Sequence, residues 1–191
     1  IYDSCWICHD SHRVPLSQWP EFSNRFLSDL RKRTEQIQHP DEAIAILKDY
    51  RRINETMGGR RAAEQLQRAF PDDVELHLFL GKWFVEMGEP KRAKECYETV
   101  LQLEANHRDA SIALATLLVA EGAARRAHAL LGHISEIDLH GEAAYLELAR
   151  AYLRQKNHQQ SYAIYQLLLK QRPALGQKGA IRREVRSLER T

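Results

Sequence analysis

Five residues near the start, Cys5-Trp6-Ile7-Cys8-His9, with His12 close behind, carry the side chains best suited to metal, haem or thiol chemistry. Two thiolates separated by two residues can chelate one tetrahedral ion, and zinc is the cofactor that donor set suits. His9 and His12 are the candidate further ligands. Four ligands between Cys5 and His12 would make a very tight loop, so donors from an upstream segment or a partner chain would complete the site more easily. The letters C-x-x-C-H are also those of covalent haem attachment, with His9 as proximal ligand. That chemistry needs enclosing apolar helices, a second axial ligand and an oxidising compartment, and the first two are not readable nearby. A thiol redox pair normally sits after a strand at a helix start, and no strand is readable here. The fourth reading gives the segment no chemistry, with Trp6, Ile7 and Trp19 packing as an apolar plug.

The rest of the chain adds no catalytic constellation. There is no glycine-rich phosphate loop, no Gly-x-Ser-x-Gly and no H-E-x-x-H spacing. His77, His107, His128, His133, His140 and His158 are scattered and read as structural or solvated. Cys96 stands alone in a helical pattern and reads as a small buried residue. Three cysteines make no disulfide framework. The expectation is a protein that is not an enzyme.

Composition is ordinary for a soluble protein. The 191 residues are 43% apolar and 28% charged, with a net charge of +2. That length allows one domain or a short repeat array, and the charge does not indicate a nucleic-acid partner. The last stretch is unevenly basic, with Lys170, Arg172, Lys178, Arg182, Arg183, Arg186 and Arg190 against Glu184 and Glu189. It reads first as a solvated helix face, and second as a surface for an acidic partner or a membrane. No run of about 18 apolar residues is present, and no signal-peptide pattern. The chain opens on Ile1, which leaves room for an upstream membrane anchor or domain. The expected location is cytoplasmic or cytoplasm-facing, with the periplasm as the alternative.

The strongest signal is internal repetition. Segments 74–107, 108–141 and 142–175 align without a gap at a period of 34. Position seven is Leu80, Leu114 and Leu148, and position eight is Gly81, Ala115 and Ala149. Position eleven is Phe84, Leu118 and Tyr152. Position twenty is Ala93, Ala127 and Ser161, position twenty-four Tyr97, Leu131 and Tyr165, and position twenty-seven Val100, Ile134 and Leu168. Positions seven, eight and eleven share one helical face, as do twenty, twenty-four and twenty-seven. Small residues at eight and twenty let two helices of a hairpin approach, and the larger ones fill the space between hairpins. Gly88 and Gly122 fall where the first helix must stop, and Lys156 stands at the equivalent place.

This pattern resembles the tetratricopeptide repeat, over about half the chain. The resemblance implies an all-α, right-handed superhelical array of antiparallel helix hairpins with helical caps. Around the three repeats, residues 1–19 form the Cys/His segment and 20–73 an N-terminal helical cap plus a degenerate repeat. Residues 176–191 form a capping helix with Ile181, Val185 and Leu188 as its apolar stripe. In 40–73, Gly58 and Gly59 read as a helix end. Ala62, Leu66 and Ala69 read as positions twenty, twenty-four and twenty-seven, which puts Pro71 three residues early and predicts a shortened second helix.

The resemblance also implies a non-catalytic protein-interaction scaffold whose first helices line a concave groove. The groove residues it points to are Leu78, Lys82 and Val85, then Ile112, Thr116 and Val119, then Leu146, Arg150 and Leu153. An apolar floor with basic edges suits an amphipathic helix or an apolar peptide with acidic flanks. The carboxylate clamp by which some family members hold chaperone tails is not expected. Its positions hold Leu78, Lys82, Ala113, Ala143 and Glu147, of which only Lys82 is basic. The alternative is a zinc-binding assembly factor with the array as docking platform.

Overall fold

In the computed structural model, residues 19–53, 56–134, 137, 139–171 and 178–188 are described. They form helices α1 (Trp19–Gln36), α2 (Pro40–Arg52), α3 (Thr56–Ala69), α4 (Val74–Glu86) and α5 (Pro90–Leu103). Then follow α6 (Arg108–Ala120), α7 (Ala124–Leu131), α8 (Leu139–Arg154), α9 (His158–Gln171) and α10 (Lys178–Leu188). No strand occurs among the described residues. The chain divides into two units, Ile1–Leu76 and His77–Thr191.

In the first unit, α1 packs on α2 and α3, which form a hairpin. Pro40 starts α2, where its missing N–H costs nothing, and Asp41 and Glu42 in the first turn suit the helix dipole. One face of α2 buries Ala43, Ile46, Leu47 and Tyr50. Against it, α3 buries Gly59, Ala62, Ala63 and Leu66.

This hairpin differs from the expected one in the length and register of its second helix. Gly58 and Gly59 do not end a helix; they lie inside α3, which runs 14 residues, as long as α5. The 34-residue frame continues upstream over 40–73 with a full-length second helix, while Leu47 and Ala63 depart from the small and large types of positions eight and twenty-four. Ile46 and Leu47 take positions seven and eight, and Tyr50 takes eleven. Gly59 takes the small position twenty, Ala63 twenty-four and Leu66 twenty-seven. Pro71 is then not early: it stands at position thirty-two, as Pro173 does. Ala69, expected in the core, is exposed. The misleading feature was the glycine pair. Glycine inside a helix costs about 1 kcal/mol against alanine, and burial of the α3 face offsets it.

In the second unit α4, α6 and α8 are first helices, and α5, α7 and α9 are second helices. Each first helix stops in the same way. Gly88 and Gly122 adopt φ of 72° and 82°. The N–H of Gly88 donates to Val85 O (3.0 Å) and that of Glu89 to Phe84 O (2.8 Å). The N–H groups of Gly122 and Ala123 do the same to Val119 O and Leu118 O, at 3.0 and 2.8 Å. Lys156, at φ 58°, and Asn157 repeat the motif on Leu153 O and Tyr152 O, both at 2.9 Å. This left-handed closure satisfies the last helical carbonyls and reverses the chain.

Close approach inside a hairpin is visible at Gly81, where an added Cβ would sit 2.7 Å from Cζ of Tyr97. Arg92 lies over the Phe84 ring at 4.2 Å. Polar contacts join the second and third hairpins: Tyr145 donates to Leu131 O at 2.7 Å, and Gln155 Nε2 to Gly122 O at 2.9 Å. The second of these hairpins is irregular. α7 has only 8 residues and ends at Leu131, so Ile134 is buried from a turn rather than from a helix. α8 begins at Leu139, three residues ahead of position one at 142.

Candidate functional site

The first-helix face of the second unit carries the nine residues expected to contact a partner. Lys82 and Thr116 are exposed, Leu78, Arg150 and Leu153 are half-buried, and Val85 is 45% exposed. Ile112, Val119 and Leu146 are only 8%, 6% and 5% exposed. The cause is α6, which packs against α5, α7 and α8 and buries residues around most of its circumference. A helix apolar on all sides belongs in a core. The apolar surface is therefore open at Val85 and Leu78, closed along α6, and open again at Leu153. Thr116 marks the middle, with its hydroxyl donating to Ile112 O at 2.9 Å.

The basic edge is uneven. Lys82 is fully presented. Arg150 Nη1 donates to Glu147 Oε1 at 2.6 Å, and this bond holds the guanidinium further into its charged range, with Glu184 adding to the effect. A charge tied to a neighbouring carboxylate is less available to a ligand than a free one.

Cys96 is fully buried, and burial pushes its thiol up to about 12. It is not poised as a nucleophile. Cys5, Cys8, His9 and His12 lie outside the described residues. Among the described residues, no group of three or more His, Cys, Asp or Glu side chains could hold a metal ion. No described helix is long and apolar enough to cross a membrane.

A second concavity was not legible in the sequence. A cleft of about 510 Å³ opens between α5 and α7, lined by Leu101, Leu114, Leu118, Ala129 and Leu130. Leu114 and Leu118 lie on the side of α6 turned away from Ile112, Thr116 and Val119. Leu103 nearby is 40% exposed.

The helices thus define an array of antiparallel hairpins on a 34-residue period, with its first helices presented as a face. Sequence profiles of the tetratricopeptide repeat match residues 84–142 and 143–174, and residues 84–174 are repeats of that family. No curated protein matches it. Among solved structures, the MamA protein is similar with a TM-score of 0.62 and 20% identity, over 79% of this chain and 88% of its own. A structure of pilF from Pseudomonas aeruginosa has a TM-score of 0.56 and 18% identity, over 78% of this chain and 67% of its own. At such identities the likeness speaks for the fold alone. Arrays of this family are protein-interaction scaffolds, and that is the class of this chain.

Proposed function

We propose that the chain holds a protein partner through one segment, a helix or an extended peptide, laid across the first-helix face of the second unit. Val85 and Leu78 anchor one end and Leu153 the other, while Lys82 and Arg150 meet acidic residues of the partner. The observation that carries this reading is the contrast at position twelve. Val119 is packed away at 6% exposure, whereas Val85 is left 45% exposed beside the exposed cation Lys82. An apolar side chain rimmed by charge is the usual form of an anchor pocket.

A phage-displayed random peptide library panned on the chain tests this. Enriched peptides should bind the unmodified protein and lose most affinity for Val85→Glu. Both proteins should show the same helical circular dichroism, because Val85 is exposed. Failure to enrich any peptide, or enriched peptides that Val85→Glu holds equally well, would overturn the reading.

A further inference from the structure

α10 is a cap by position, but its register gives it a second property. It begins at Lys178, and the residues it buries are Ile181 and Val185, at 2% and 6% exposure, with Leu188 half-buried. Counted from Lys178 these are positions four, eight and eleven, which lie on the inward side of the first helices α4, α6 and α8. α10 therefore packs on α9 as the first helix of a further hairpin would. Position seven, which is Leu80, Leu114 and Leu148 in the repeats, is Glu184 here. Its charge bears on Arg150 and on the Tyr165 phenol, which burial and Glu184 together push up. Glu184 thus bears first on Tyr165 of α9, against which α10 packs, and more weakly on Arg150 of α8.

In this register the outward positions five, six and nine are Arg182, Arg183 and Arg186. All three are exposed, and none has a hydrogen bond or ion pair among the described residues. Positions five and nine are those of the face itself, where the repeats hold Leu78, Ile112 and Leu146, and Lys82, Thr116 and Arg150. The face consequently has two unlike ends. At α4 it is apolar. Toward α8 and α10 it offers Arg150, Arg154, Arg182, Arg183 and Arg186 against Glu142, Glu147 and Glu184 among the described residues.

We infer that Arg182 and Arg186 of α10 extend the first-helix face into a carboxylate-binding end, which receives an acidic stretch of the partner segment whose apolar stretch lies at Val85. This rests on the function proposed above and fixes the polarity of the partner. Guanidinium groups pair with carboxylates through two parallel hydrogen bonds, and unpaired surface arginines are free to do so. The interleaved Glu147 and Glu184 disfavour a continuous phosphate backbone, which is held by an unbroken row of cations.

The test uses the peptides enriched on the unmodified chain, with Arg182→Glu/Arg186→Glu as the variant and Arg182→Gln/Arg186→Gln as a milder substitute should the reversal unfold the cap. The enriched peptides should carry Asp or Glu at one end and an apolar motif at the other. The variant should bind them about tenfold more weakly, with the deficit shrinking as salt is raised. Peptides lacking an acidic end, or an unchanged affinity in the variant, would overturn the inference while leaving the Val85-dependent face standing. Peptides that ignore Val85→Glu would instead remove the face itself. A single-stranded oligonucleotide bound by the unmodified chain and released by the variant would also overturn the inference, in favour of a phosphate surface.

Discussion

Gly88, Gly122 and Lys156 occupy the same turn in three successive hairpins, and only the glycines are suited to its left-handed backbone. A residue with a Cβ at φ 58° costs on the order of 1 kcal/mol. Lys156→Gly should therefore raise stability by about 0.5–1 kcal/mol, less the entropy glycine gains when unfolded. A urea midpoint that falls would contradict the motif. Gly81 is the opposite case: Gly81→Ala drives a Cβ against the edge of the buried Tyr97 ring and should cost about 1–3 kcal/mol. Two buried acids add a pH dependence. Burial lifts the Cys96 thiol from its usual 9.0, and the Tyr97 phenol from 10.0, each to about 12. Both are protonated in the folded chain where the unfolded chain would lose the proton. Their contribution is fully present below pH 9 and is lost as pH rises from about 9 to about 12. The midpoint of denaturation should fall through that window, and a midpoint that stays level or rises there would contradict this burial. These residue-level features were legible in part. The repeated turn and the small residue at position eight follow from sequence periodicity, but the crowding of Gly81 by Tyr97 needs coordinates.

At the level of elements, the hairpin of α2 and α3 shows where sequence reasoning goes astray. The pair Gly58-Gly59 carries a strong local stop signal, and it moved the frame by three residues. Tertiary packing overrode it, because position twenty needs a small residue at the helix crossing and glycine fits there as alanine does. The corrected frame has a direct check. Gly59→Ala should be neutral or stabilising by up to about 1 kcal/mol, since alanine is the better helix former. Gly59→Leu should destabilise by about 1–3 kcal/mol through overpacking. If Gly59 were instead a turn glycine, the alanine variant would itself be costly. α7 illustrates the reverse problem. Ile134 keeps its core place at position twenty-seven, so the periodicity looked unbroken, yet the helix ends at Leu131. Hydrophobic spacing records which residues are buried, not whether a helix carries them there.

For the molecule as a whole, the family and the helical architecture could be read from the 34-residue period. The binding face could be read only as a set of positions. Ile112, Val119 and Leu146 have the right types and spacing for a groove floor, but α6 is enclosed by three neighbours and keeps them from solvent. Sequence gives the side of a helix, whereas exposure depends on what packs against it. What remains open is a discontinuous face: Val85 with Leu78, then Leu153, with Lys82 beside the first and arginines beside the last. The measurement that tests this account most directly is the affinity of panning-enriched peptides for the unmodified chain and for Val85→Glu, by fluorescence anisotropy. Val85→Glu should weaken binding at least about tenfold, as expected for loss of an interface anchor, with helical content unchanged. Equal affinity for the two proteins would contradict it.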